Sequence, residues 1–145
     1  MKSSDLIKHL TESGLMPQEE TLELPRSEKN LFIGIPRETA LQENRVALVP
    51  DSVGLLVNNG HRVLIESKAG EPANFTDKDY SEAGAEICHD TNEVFQCDII
   101  FKVAPPSEEE VDMMPGKQTL ISAIQISMQP KKLLQKLMQK QVTAI

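Results

Sequence analysis

The residues best suited to chemistry lie in one polar stretch, Pro36-Arg37-Glu38-Thr39-Ala40-Leu41-Gln42-Glu43-Asn44-Arg45-Val46-Ala47-Leu48-Val49-Pro50. It directly follows a short apolar run, Leu31 to Ile35. Arg45 abuts Val46-Ala47-Leu48, which places its head group to point into a cleft. A guanidinium is a rigid fork of donors that can clamp a carboxylate through two parallel hydrogen bonds. The same fork can pair with Glu43 or Glu38 and merely pin the loop, and the residues by themselves leave both roles open. Other candidates offer less. His9, His61 and His89 are too far apart in sequence to suggest a metal pair, and His61, between Gly60 and Arg62 at a strand start, reads as structural. Cys88 and Cys97 form neither a disulfide framework nor a zinc quartet, and read as reduced core thiols. No G-x-G-x-x-G or Walker-type phosphate loop follows any expected strand, so this chain by itself is not expected to hold a dinucleotide in the Rossmann manner.

Positioning such a loop requires a scaffold, and the sequence has a clear rhythm for one. Leu31 to Ile35 is continuous and β-branched, as strands buried on both sides are. Pro50 suits the first turn of a helix whose apolar face is Val53, Leu56 and Val57, with Gly60 at its left-handed end. Val63 to Ile65 makes a second strand. Thr76 with Asp79, Asp90 with Glu93 and Ser107 with Glu110 have the spacing of capping boxes that open three short helices. Between them fall strands at Ala85 to His89, Asp98 to Val103 and Thr119 to Ala123. Pro130 opens a helix with Leu133, Leu134, Leu137 and Met138 on its apolar face, and Val142 to Ile145 starts a sixth strand. Glu108, Glu109 and Glu110 read as a solvated first turn, and the lysines after Pro130 as an ordinary basic surface. Strand and helix alternate throughout, which predicts an α/β fold: an open, mostly parallel sheet with helices on both faces.

Length and composition agree. The chain has 145 residues, enough for one domain and a sizeable core. A net charge of −7 and an aromatic content of 3% argue against a nucleic-acid surface. No apolar run suits a signal peptide or a membrane span. A cytoplasmic protein without membrane contact by this chain is expected. Residues 1–30 differ from the rest: Leu6, Ile7 and Leu10 share a helical face, Met16-Pro17 stops it, and a polar connector runs to Asn30. They are expected to form a helix and linker, either docked or loosely held. The apolar ending, VTAI, suggests a piece of a longer protein.

From residue 31 the sequence becomes specific. The string IGIPRETALQENRVALVPDSVGLLVNNGHRVLIESKAGEPANFTDKDYSEAGAEI, with DIIFKVAPP and PGKQTLIS, closely resembles the alanine dehydrogenase/nicotinamide nucleotide transhydrogenase family. The resemblance spans residues 31–145. It implies a flavodoxin-like, Rossmann-like N-terminal substrate domain of an NAD-dependent oxidoreductase. In such an enzyme L-alanine is converted to pyruvate and ammonia, NAD is bound mainly by a domain absent from this chain, and the parent is a homo-oligomer. It also implies roles. Arg45 takes the position that binds the substrate carboxylate, and Lys102 falls in the strand-four motif of substrate-binding residues. The second Lys of that motif, which touches substrate, is Ala104 here. Gln125 stands where the family has its general acid/base His, and an amide cannot exchange a proton near neutral pH. Those departures keep two alternatives open: the alpha subunit of a proton-translocating NAD(P) transhydrogenase, which needs neither residue, and a catalytically lapsed binding module.

Overall fold

Six short parallel strands form the centre of the computed structural model, which describes residues 30–145. The helix and most of the connector expected before Asn30 lie outside the described residues. The strands are β1 (Phe32–Ile35), β2 (Arg62–Glu66), β3 (Glu86–Cys88), β4 (Ile99–Phe101), β5 (Thr119–Ile121) and β6 (Thr143–Ala144). Their order is β3-β2-β1-β4-β5-β6. Every pairing is parallel, with Gly34 opposite Leu64 on one side and Ile100 on the other. Of the doubly wound orders, this is that of the Rossmann sheet.

Alternation along each strand divides the interior into two cores, because successive side chains point to opposite faces. In β2, Val63 and Ile65 pack with Ile33, Ile35, Val53 and Tyr80, whereas Leu64 packs on the other face with Val94, Phe95, Val111, Leu120, Leu133 and Leu137. The first core lies under α1 (Pro50–Asn58) and α2 (Asp77–Glu82); the second lies under α3 (Thr91–Val94), α4 (Glu108–Met113) and α5 (Lys131–Gln139). Helices therefore cover both faces, as the strand-helix alternation predicts. Gly34 marks a close approach between sheet and helix layer. A Cβ there would run into the Val94 carbonyl oxygen and sit 3.0 Å from the Cys97 sulfur. Cys88 and Cys97 are buried free thiols, and His61 accepts the Leu31 backbone N–H at 3.3 Å, a structural role.

Local signals hold at most helix ends. Pro50 is at the start of α1, Gly60 and Gly84 have positive φ, and Thr76–Asp79 and Ser107–Glu110 are complete capping boxes. The third expected box is not formed. Asp90 caps α3 through the Asn92 N–H, but the Glu93 carboxylate accepts from the buried Cys88 thiol instead. Met138 leaves the expected apolar face of α5 and is 77% exposed. Leu133 and Leu137, one turn apart, make the buried stripe of this nine-residue helix, and Met138 lies about 100° further round.

The chain runs outward from β1 through β2 to β3, then returns to β4 and continues to β6. The connections leaving β1 and β4 therefore diverge. Beyond the carboxyl ends of such a pair a doubly wound sheet opens a crevice.

Candidate functional site

The loop that leaves β1 is fastened at its root by carboxylates. The Arg37 N–H donates to Glu66 at 2.8 Å, and the Thr91 hydroxyl donates to the same carboxylate at 2.9 Å. Glu38 folds over the end of β4. It accepts from the Val103 N–H at 2.6 Å, the Ala104 N–H at 3.3 Å and the Lys102 ammonium at 3.2 Å. Lys102 also donates to Glu110 at 3.1 Å, and Glu110 takes the Thr39 hydroxyl at 3.3 Å and the Ser107 N–H at 2.8 Å. The three charged side chains are nearly sealed: 1% exposed for Lys102, 5% for Glu38 and 6% for Glu110. Glu110 is thus not part of a solvated turn. Burying two carboxylates around one cation is tolerated because N–H and O–H donors satisfy their remaining lone pairs.

Further along the loop, Arg45 is gripped by Glu43. Nε donates to Oε1 at 2.9 Å and Nη2 to Oε2 at 2.7 Å. The Glu43 carboxyl also accepts the Arg45 backbone N–H at 3.0 Å. These bonds hold it well below the usual carboxylate range, at about 2, while the partner guanidinium is pushed up.

β5 brings the remaining candidates to the same rim. The Ser122 hydroxyl donates to the Ala104 carbonyl at 2.8 Å, and the Ala123 N–H to Val103 at 3.2 Å. Two residues on, Gln125 is exposed, and its carbonyl accepts from Met128 at 2.9 Å. An open cleft of about 350 Å³ lies alongside, between Thr39, Pro105, Ser107, Pro130 and Leu133. Lys102 and the Arg45 loop are joined through Glu38; Gln125 reaches the rim separately, through β5. Glu38, Glu110, Thr39 and Ser122 are the members of this cluster that sequence reasoning did not assign. The signal for them was Lys102, the one cation in DIIFKV, directly after the apolar run of β4.

A dinucleotide does not fit the first strand-helix connection. Residues 35–53 contain no glycine to let a pyrophosphate near the backbone, and α1 opens with Val49-Pro50, which gives no side-chain cap. Sheet order is therefore Rossmann-like without the phosphate turn that makes that sheet a nucleotide site. Among the described residues no group of three or more His, Cys, Asp or Glu side chains could hold a metal ion, and none of the described helices is long and apolar enough to cross a membrane.

Comparison with known proteins gives a consistent result. Residues 34–145 match the family described as alanine dehydrogenase/PNT, N-terminal domain. The chain is 40% identical over 115 residues to alanine dehydrogenase of Bacillus subtilis (strain 168), covering 79% of this chain and 30% of that protein. It is 41% identical over 113 residues to alanine dehydrogenase 2 of Staphylococcus aureus (strain USA300), covering 78% and 30%. Among solved structures, an L-alanine dehydrogenase superposes with a TM-score of 0.76 at 37% identity, over 79% of this chain and 32% of that one. A transhydrogenase from Sinorhizobium meliloti superposes at 0.71 with 26% identity, over 78% and 33%. The chain thus spans about a third of the length of these relatives.

Proposed function

The chain belongs to the alanine dehydrogenase/PNT N-terminal-domain family, and on that premise we propose that it is the substrate-side domain of an NAD-dependent oxidoreductase acting on L-alanine and pyruvate. The observation that carries this reading is Arg45: it stands 75% exposed on the loop from the switch point. It is charged throughout the physiological range and can receive a small carboxylate. Lys102 acts from behind, through the Glu38 end of the loop. NAD is assigned to the part of the relatives' length that this chain does not span, in keeping with the glycine-free β1–α1 connection. The parent is a cytoplasmic homo-oligomer.

Ala104 and Gln125 favour a second reading. Neither side chain can take or give a proton near pH 7, whereas amino-acid oxidation needs an acceptor. Hydride exchange between two nucleotides does not, so a transhydrogenase alpha subunit accommodates both residues.

Steady-state NADH formation from L-alanine by the full-length protein separates the two. We expect weak or absent wild-type turnover, partly raised by Ala104→Lys with Gln125→His, since a positioned imidazole contributes about 10²–10⁴-fold. Wild-type turnover at the usual enzymatic scale of about 1–10³ per second would show that neither departure matters. No turnover in either protein would favour the transhydrogenase reading.

A further inference from the structure

A guanidinium has two hydrogen-bonding edges. The side edge comprises Nε–H and one Nη2–H; the end edge comprises the other Nη2–H and a hydrogen of Nη1. Glu43 occupies the side edge with both of its oxygens, at 2.9 and 2.7 Å. It also accepts the Arg45 main-chain N–H at 3.0 Å, which fixes its own carboxylate before the side-chain fork closes. The exposures are unequal: the Glu43 side chain is 12% exposed and that of Arg45 is 75% exposed. The carboxylate is set into the loop and the guanidinium stands outward on it. Among the described residues no acceptor meets the end edge.

We infer that Glu43 is the positioning residue for substrate capture: it holds Arg45 by the side edge so that the end edge is presented, preformed, to the carboxylate of an incoming 2-oxo or 2-amino acid. This rests on the reading of Arg45 as the substrate-carboxylate group. The two roles considered for Arg45, clamp and loop pin, are then not rivals. One edge pins and the other binds. Preorganisation of this kind removes the cost of ordering a long side chain at the moment of binding.

The inference makes a prediction of sign. If Glu43 only places a negative charge beside the site, its removal helps an anion to bind. If it orients the fork, its removal hurts. The test is an NMR titration of the 15N-arginine-labelled full-length protein with pyruvate, comparing wild type, Glu43→Gln, Glu43→Asp and Arg45→Ala, with the circular dichroism spectrum checking that each variant is folded. Glu43→Gln should weaken pyruvate roughly tenfold, the size of one charged hydrogen bond. Glu43→Asp, one methylene shorter with its charge kept, should weaken it as well. The Arg45 Nε–H resonance should be sharp and slow to exchange in wild type and lose both properties in Glu43→Gln. Unchanged or tighter pyruvate binding in Glu43→Gln, with binding abolished in Arg45→Ala, overturns the positioning role and leaves the Arg45 reading intact. Arg45→Ala binding pyruvate as wild type does, or no pyruvate response in wild type, overturns the Arg45 reading and the inference with it.

Discussion

Lys102 is the residue whose loss should disturb this domain most. Its ammonium is the cation between Glu38 and Glu110 in a nearly sealed pocket. Lys102→Met removes the cation and leaves two buried carboxylates facing each other, which should cost about 3–5 kcal/mol. Urea unfolding monitored by circular dichroism would register that loss. The same measurement on Lys78→Met, which breaks an exposed pair with Glu82 at 3.6 Å, should show a change of only a few tenths. Glu43 makes a different prediction. Its carboxyl titrates at about 2 rather than the ordinary 4.5, chiefly because of the Arg45 side-chain bonds. A depressed acid stabilises the fold above its unfolded value and loses that contribution as pH falls. The Arg45 pairing should therefore persist from neutrality through pH 4 and dissolve only as pH approaches about 2, as carboxyl carbon shifts would report. The sequence exposed Arg45 because a lone guanidinium beside apolar residues stands out. It hid the Lys102 network because Glu38 lies 64 residues away. Glu110, for its part, already had a local role as the N3 residue of a capping box. One of its oxygens meets Ser107 and the other meets Lys102 and Thr39.

Elements here are short, so their ends matter more than their middles. The six-residue helix α4 is closed at its start by the Ser107–Glu110 box. At its finish the Lys140 ammonium donates to the carbonyls of Val111, Asp112 and Met114 at 2.8, 2.8 and 2.6 Å. A cation there satisfies orphan carbonyls and complements the helix dipole. Ser107→Ala should cost about 1 kcal/mol. Lys140→Met should cost about 1–2 kcal/mol. Thermal melts of the two single variants and the double variant would test whether the ends act independently. Two of the three capping pairs were legible because both partners sit within four residues and the acid keeps one oxygen for the N-cap N–H, even where Lys102 and Thr39 take the other oxygen of Glu110. The third was not, because Cys88, arriving from β3, takes the Asp90 N–H on its sulfur at 3.3 Å and gives its own proton to the Glu93 carboxylate, so the two ends of the box never meet. Strand positions were legible from their apolar runs. Their lengths were less so, since β3, β4 and β5 each keep only three residues in the ladder before the chain turns off.

Taken as one molecule, the domain has two hydrophobic cores and a rim of ion pairs, and its titrations follow from that division. Burial pushes the Tyr80 hydroxyl and the Cys97 thiol up to about 12, from ordinary values of 10.0 and 9.0, and raises the Cys88 thiol as well. A raised group stabilises the fold below its unfolded value and loses that effect as pH climbs toward its folded one. Melting temperature should accordingly fall between about pH 9 and 12, and the thiols should resist a disulfide reagent at pH 8 until the chain is unfolded. NAD titrated into the isolated chain should bind weakly, as the glycine-free β1–α1 connection requires; calorimetric affinity in the micromolar range would contradict this. One property of the rim reaches beyond energetics. Arg37, Val103 and Ala104 each give their main-chain N–H to a carboxylate rather than to a carbonyl. The next amide inward, Lys102, donates to Ile121 across the β4–β5 ladder at 2.9 Å. Strand amides exchange with solvent when strands part, while an amide held by a side chain needs a smaller opening. The three rim amides should therefore exchange faster than that of Lys102. The ratio of the two rates is a clock that counts how often the loop lifts from the crevice while the sheet beneath stays shut.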